Sequence, residues 1–211
     1  MTMGAWTSLF EELLRGLVHA ISNRITALSA FAELAAMDGE PIEAAMLQEE
    51  VMRLHQVSAL VGVLATRGDE IEALEVRALL DLALTILSHH PRVRPVPCSV
   101  EQCGLVLPVR VPRWALLRLL LLMVDAAERA SDAAQASGVA VQLSGDESTV
   151  RVHIVSCEPF GPDAERLAAT CGGVLTRRAG TYVLALPSLP ELRRRERSSS
   201  KSHEPGGYPV S

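Results

Sequence analysis

Four polar side chains near the N-terminus have types and spacings that could do chemistry together: His19, Ser22, Asn23 and Thr26. Their separations of three, four and seven residues place them on one face of a helix. An imidazole on such a face is solvent-accessible and nucleophilic. The amide of Asn23, one turn further on, could orient a water molecule or an incoming phosphoryl group. On these four residues alone, a solvated histidine without a chemical role remains the better interpretation.

The sequence lacks the residues needed for several common lysine-dependent and zinc-binding sites. The only lysine is Lys201, which excludes a P-loop lysine, a Schiff-base lysine and a kinase-type strand lysine. No CxxC spacing or paired histidine motif completes a zinc site, so the cysteines are interpreted as small apolar fillers. They are Cys98, Cys103, Cys157 and Cys171. The net charge of −5 argues against a nucleic-acid partner.

A long helix has to position the polar face. Apolar residues recur in steps of three and four over residues 5–36 and again over 42–66, with a turn between them at Met37–Pro41. The first stripe consists of Phe10, Leu13, Leu14, Leu17, Ile21, Ile25, Leu28, Phe31 and Leu34. Two such helices joined by a short turn must lie antiparallel, and one hairpin leaves an apolar face uncovered. We therefore predict a homodimeric four-helix bundle through residues 5–68.

The remaining chain predicts a mixed layer over residues 70–188 and hence an α+β fold. Helices are expected near 74–88, 112–131 and 162–171, and strands at 139–143, 150–155, 174–176 and 182–186, with short β-branched runs over 91–111. The turns between the paired strands are expected at Gly145-Asp146 and Ala179-Gly180.

The two ends of the chain are expected to carry no ordered or targeting segment. Residues 189–211 are charged and rich in Ser, Gly and Pro, which predicts a disordered tail. The arginines at 193, 194, 195 and 197 could bind anions, although a solvated tail is the favoured interpretation. No apolar run reaches the roughly 18 residues that span a bilayer, and no signal peptide is seen. A cytoplasmic protein without a membrane partner is expected.

In this order of elements the chain resembles the sensor histidine kinases over residues 9–187, as a dimerisation and phosphotransfer domain followed by an ATP-binding domain. His19 with Asn23 matches the family's phosphoacceptor box. Residues 124–130 resemble the asparagine box that ends a long helix. Residues 167–187 resemble the closing helix and hairpin. The resemblance implies that His19 is the phosphoacceptor.

The chain departs from that family where the family binds ATP. Asp125 replaces the magnesium-binding asparagine, and its partner one turn earlier is Leu121. Residues 156–162 lack the aspartate that bonds adenine, and only about ten residues follow before Gly172, too few for the lid and second glycine box. Ala20 stands where kinases carry an acid that assists attack on ATP. We therefore predict a degenerate ATPase-like domain that binds no ATP.

These features resemble the dimeric histidine phosphotransferases, a relay rather than an active ATP-dependent kinase. His19 and Asn23 are the expected catalytic residues, and Arg15, Ser22 and Thr26 are expected to contact the partner. Response-regulator receiver domains are the expected partners, and an upstream hybrid kinase is a further candidate. No cofactor is expected on this chain, because the receiver supplies Mg²⁺. The alternative is a non-catalytic dimeric scaffold that binds receivers or a kinase.

Overall fold

The computed structural model describes residues 4–38, 44–66, 68, 70–92, 96–156 and 159–201. Predictions that fall on the remaining residues lie outside this description, including the end of the 37–41 turn, Cys157 and the last ten residues. The helices are α1 (Ala5–Asp38), α2 (Ala44–Ala65), α3 (Val76–Leu87), α4 (Arg113–Ala133), α5 (Gly161–Thr170) and α6 (Leu189–Lys201). The strands are β1 (Ile71–Leu74), β2 (Cys98–Gly104), β3 (Val109–Pro112), β4 (Val139–Gly145), β5 (Thr149–Val155), β6 (Val174–Arg178) and β7 (Thr181–Pro187).

The chain divides into two compact units. The helical unit comprises Met1–Gly68 together with Leu82–Pro95, and the mixed unit comprises Asp69–Asp81 together with Val96–Ser211. The first border between the two units falls after Gly68. Residues 82–95 were expected in the second domain, but they group with α1 and α2. The helical unit is therefore discontinuous in sequence.

In the helical unit, α1 and α2 pack against each other, as the two apolar patterns predict. Leu13 and Leu17 of α1 are completely buried, and Val57 and Leu64 of α2 are nearly so. Only five residues join the two helices, so they run antiparallel. The antiparallel hairpin thus has its own small leucine-rich core.

A second apolar stripe on α1 is left open in the single chain. It consists of Leu14, Val18, Ile21, Ile25 and Leu28, which alternate in steps of four and three. Val18 is 51% exposed and Ile25 is 50% exposed. The sequence pattern placed Ile25 in the same stripe as Leu13 and Leu17 but expected one hairpin to leave an apolar face uncovered, and Ile25 lies on that face. A helix with two apolar stripes can contact two neighbouring helices, whereas α2 is only one such neighbour and covers one stripe.

The mixed unit contains a five-stranded sheet in the order β2-β4-β5-β7-β6. Strands β2 and β4 are parallel, and the other pairs are antiparallel. Helices α4 and α5 pack on one face, where alternate residues of β4, β5 and β7 are buried. A small second sheet pairs β1 with β3. The predicted α+β class is confirmed.

Both predicted hairpin turns are present in the mixed unit. In the β4–β5 turn, the side chain and backbone of Ser148, the guanidinium of Arg151 and the backbone N–H of Thr149 all donate to the Asp146 carboxylate. These donors hold the pKa of Asp146 well below its usual range, with the Ser148 hydroxyl contributing most. In the β6–β7 turn, the φ angles of Ala179 and Gly180 are +48° and +80°, as a two-residue hairpin loop requires.

Two expectations need correction. The tail expected to be disordered from residue 189 forms α6 as far as Lys201. The β-branched runs noted over 91–111 gave no strand bounds, and the run at 105–107 lies between β2 and β3 rather than in a strand. Cys103 is exposed rather than a core filler, although burial raises the pKa of Cys98 to about 11 and that of Cys171 to about 12. Among the described helices, none is long and apolar enough to cross a membrane.

Candidate functional site

The polar face predicted from the sequence exists on α1. The helix is continuous through this region, and the five side chains expected at the site all lie on its exposed surface. They are Arg15, His19, Ser22, Asn23 and Thr26. This face is separate from both apolar stripes of α1, so packing of the hairpin leaves it open to solvent. The structure therefore brings together every residue that the sequence assigned to the site.

A hydrogen bond joins the two residues with proposed chemical roles. The side-chain N–H of Asn23 donates to Nε2 of His19 across 3.3 Å. In this arrangement Nδ1 carries the ring proton and Nε2 keeps its lone pair. The hydroxyl of Thr26 donates to the backbone carbonyl of Ser22 across 3.0 Å. Thr26 therefore presents its methyl group and hydroxyl oxygen rather than a free O–H.

A turn from a distant part of the chain lies against α1 one turn before His19. A Cβ atom placed on Gly16 would lie 1.7 Å from the carbonyl oxygen of His89. Nε2 of His90 lies 2.7 Å from Oε2 of Glu12, and the side chain of His90 is only 9% exposed. Gly16 thus permits a close approach of backbone to helix. The sequence indicated this contact only through a glycine inside a helix.

A cluster of charges ties α1 to α2 at the other side of His19. Glu50 is buried and pairs with Arg24 of α1 at 3.1 Å and with Arg53 of α2 at 2.5 Å. Burial opposes the ionisation of Glu50, but hydrogen bonds and positive charge from Arg53 and Arg24 outweigh it and lower its pKa. Burial, assisted by the charge of Arg24, lowers the pKa of His89. No spacing in the sequence indicated this cluster, because it joins residues of two different helices.

The helix that resembles the asparagine box places its polar residue in the core. Asp125 is completely buried, and its Oδ2 lies 2.6 Å from Nη1 of Arg129. Leu121, one turn earlier, is also completely buried. The charge of the Asp125 carboxylate is therefore balanced by Arg129 of the same helix, and the carboxylate does not face solvent.

The residues between Phe160 and Cys171, which were predicted to be too few for a nucleotide lid, form a helix. Helix α5 spans Gly161–Thr170 and so occupies the whole stretch between Phe160 and Cys171. Phe160 is 5% exposed and packs against Tyr182 with ring centroids 3.9 Å apart. No group of three or more potential metal ligands occurs in the part of the chain that the structure describes.

Comparisons with known proteins find similarity in structure only. No protein-family model matches the chain, and no curated protein sequence matches it. Among solved structures, histidine kinase AdeS from Acinetobacter baumannii aligns with a TM-score of 0.46 and 13% identity, covering 81% of this chain and 98% of that one. A structure described as a bacterial phosphotransferase aligns with a TM-score of 0.42 and 15% identity, covering 88% and 98%. The ATP-binding domain of PrrB from Mycobacterium tuberculosis aligns with a TM-score of 0.43 and 18% identity, covering 57% and 98%. These similarities are too low to transfer an activity or a site to this chain.

Proposed function

We propose that this chain is a histidine phosphotransferase of two-component signalling, in which His19 carries a phosphoryl group between response-regulator receiver domains. The observation that carries the proposal is the exposed imidazole of His19 with Nε2 oriented by Asn23, on a face otherwise occupied by Arg15 and small polar side chains. A docked protein can approach such a face without burying an unpaired carboxylate. The main task of this chain is then to position a nucleophile.

The transfer consists of two in-line displacements. Nε2 of His19 attacks the phosphorus of an aspartyl phosphate on the first receiver, so that a P–N bond forms and the P–O bond to the aspartyl carboxylate breaks. The positive charge that develops on the ring is relieved when Nδ1 releases its proton to solvent. Nδ1 then takes a proton back from solvent, a carboxylate of the second receiver attacks phosphorus, and the P–N bond breaks so that the ring leaves as neutral imidazole. The Mg²⁺ that stabilises the phosphoryl oxygens belongs to the receiver.

The neighbouring side chains would assist in different ways. Arg15 lies one turn before His19 and would place a positive charge near the phosphoryl oxygens or the acidic pocket of the receiver. Ser22 and Thr26 are small, and the Thr26 hydroxyl already donates to the helix backbone. These two residues therefore contribute access and surface shape rather than further donors to phosphate.

The mixed unit supports a donor other than ATP. Asp125 is buried and paired with Arg129, and α5 fills the interval where a lid would lie. Ala20, next to His19, provides no acid to assist attack on ATP. An acyl phosphate is already activated and needs neither of these aids. A second protein is therefore the proposed source of the phosphoryl group.

The second apolar stripe of α1 supports a homodimer. Val18 and Ile25 are half exposed, and Leu14, Ile21 and Leu28 lie between exposed and buried. The alternation of four and three residues is the spacing with which helices pack side by side in bundles. A second copy of the hairpin would cover this stripe and leave His19 on the outer surface of the bundle.

The proposal is tested by incubating the protein with a receiver domain carrying ³²P-aspartyl phosphate. We expect the wild type to acquire a label that is labile to acid and stable to base, as a phosphohistidine is. His19→Ala and His19→Gln should acquire none, because neither side chain has a nucleophilic ring nitrogen. His55→Ala is the matched control, since His55 is also an exposed helix histidine.

Two outcomes would contradict the relay. Labelling of His19→Ala would place the phosphoacceptor elsewhere. A wild type that binds phosphorylated receivers but is never labelled would favour the alternative, a non-catalytic scaffold.

A further inference from the structure

Helix α6 concentrates positive charge that is only partly neutralised. Between residues 191 and 197 it carries four arginines and two glutamates. Glu191 accepts hydrogen bonds from Arg194 at 2.9 Å and from Arg195 at 2.8 Å. Glu196 pairs with Arg110 of β3 at 3.1 Å. Both carboxylates of the helix are therefore engaged by other arginines.

Arg193 and Arg197 do not pair with either glutamate of α6. Both are exposed, and among the residues described by the structure neither has a carboxylate oxygen within ion-pair distance. They are four residues apart, so their side chains emerge next to each other on one face of α6. Like charges at this spacing repel and weaken a helix. The sequence spacing thus places two exposed guanidinium groups next to each other on α6.

The C-terminal half of α6 has little else to stabilise it. The start of the helix is anchored, because the N–H of Leu189 donates to the carbonyl of Pro108 across 2.8 Å. Residues 198–200 are three serines, which are weaker helix formers than Ala, Leu or Arg. The hydroxyl of Ser198 donates to the carbonyl of Arg194, so it is not directed outward. Relief of the repulsion between Arg193 and Arg197 would therefore strengthen this half of the helix.

We propose that Arg193 and Arg197 form a binding site for a small phosphate anion with two or more negative charges, such as inorganic phosphate, pyrophosphate or a phosphate monoester, and that the bound anion stabilises α6. Each guanidinium can donate two parallel N–H groups to phosphate oxygens, and a dianion between them neutralises both charges. This site is independent of the relay through His19.

Larger polyanions fit the helix less well. The chain has a net charge of −5, and α6 contains no aromatic side chain on which a base could stack. Leu189 and Leu192 are both partly covered rather than exposed, so α6 presents no apolar face to a bilayer. A small anion with two negative charges matches the two adjacent guanidinium groups.

The test is amide hydrogen exchange on the full chain, with pyrophosphate as the probe and sodium chloride at equal ionic strength as the reference. We expect millimolar pyrophosphate to slow exchange over residues 189–201. Pyrophosphate binding, followed by calorimetry, should weaken about tenfold in Arg193→Gln/Arg197→Gln, since both donors are removed. Arg194→Gln/Arg195→Gln is the matched control, with the same change of charge in the same helix. Its binding should stay within about twofold, because exposed ion pairs contribute little.

Three results would overturn the proposal. Equal weakening in the two double variants would show a general effect of net charge. Absence of protection and of binding heat in the wild type would show that the site does not bind phosphate. Protection by vesicles containing anionic phospholipid, without protection by pyrophosphate, would assign α6 to a membrane surface instead. Amide exchange without ligand shows whether each variant keeps α6, so that weakened binding with the helix intact is assigned to the two guanidinium groups.

Discussion

The amide nitrogen of Asn23 lies 3.3 Å from Nε2 of His19, so one proposed catalytic residue occupies the lone pair of the other. Nε2 can attack phosphorus only after this hydrogen bond opens. The bond is long and exposed to solvent, and a neutral hydrogen bond of this kind contributes about 1 kcal/mol or less. Opening it therefore costs less than about tenfold in rate, while the closed form holds the ring in one orientation and one tautomer.

We expect Asn23→Ala to slow phosphoryl transfer by up to about tenfold, because the ring then loses its fixed orientation. Receiver affinity should change by less than about twofold, since Asn23 acts on the ring rather than on docking. Asn23→Asp should be slower still. Its carboxylate accepts a hydrogen bond from Nε2–H and so favours the tautomer whose lone pair is on Nδ1. Single-turnover labelling and receiver titration separate the two effects, and equal rates in both variants would contradict the assigned tautomer.

Mg-ATP should produce no binding heat at about 1 mM, a concentration that would reveal any affinity better than about −4 kcal/mol. One physical reason is that the Asp125 carboxylate is buried and paired with Arg129, so that it cannot hold Mg²⁺. The other is that α5 fills the interval in which a lid over the phosphates would lie. Asp125→Asn, which introduces the asparagine found at this place in the kinases that the chain resembles, should not produce binding. A dissociation constant below about 100 μM in isothermal calorimetry would revive an ATP-dependent kinase.

Ile25→Glu should convert the proposed dimer to a monomer. Ile25 is half exposed within one hairpin, so the charge can remain in water in the monomer but would be buried and unpaired in a bundle. Light scattering measures the mass, and circular dichroism verifies that the helices persist. Ala30→Glu lies on the exposed polar side of α1 and should remain dimeric. A wild-type monomer at micromolar concentration would remove the bundle from the proposal.

Gly16→Ala should destabilise the helical unit by about 1–3 kcal/mol, because the new methyl group would overlap the carbonyl of His89. Gly62→Ala is the control in α2. Nothing lies within 4 Å of the Cβ position there. Alanine at that site should stabilise the helix by up to about 1 kcal/mol. Urea unfolding measures both changes, and an unchanged stability of Gly16→Ala would disprove the close packing against His89.

Acid should weaken the link between α1 and α2 through Glu50. Its pKa is lowered on folding from the usual 4.5, so its contribution is complete above about pH 4.5 and disappears as the pH falls through the folded-state value. Glu50→Gln should therefore be less stable than the wild type at pH 7, with the difference shrinking near pH 3. Urea midpoints across this range test the effect. Glu49→Gln, at an exposed partner of Arg53, should show a smaller change with pH.

The sequence predicted most of the long elements because their patterns are strong. The 3.6-residue period of α1 is evident over some thirty residues, and the alternation of β5 matches its buried positions. Strand β2 could not be located within 91–111 because it is an edge strand with the residues Cys-Ser-Val-Glu-Gln-Cys-Gly, which carry almost no apolar alternation. Helix α6 was missed since its charges and serines are typical of disorder, and part of its stabilisation comes from Arg110 on β3.

The face around His19 was predictable because helical spacing alone determines it. Its surroundings were not, since they depend on tertiary contacts. Glu12 and His90 are 78 residues apart in sequence, and Gly16 meets His89 across a similar separation. Spacing also could not separate the two stripes of α1, because a helical pattern shows which residues are apolar but not which neighbour covers them.

The discontinuity of the helical unit constrains how this protein could have been assembled by recombination. Residues 82–95 belong to the same unit as α1 and α2, although the chain passes through the other unit before reaching them. A gene fragment that ends after residue 68 would encode α1 with Gly16 facing solvent and Glu12 without His90. The helical unit is therefore not a cassette that can be exchanged by a single crossover. Shuffling would have to move both segments together or replace the turn at His89 and His90 with another cover.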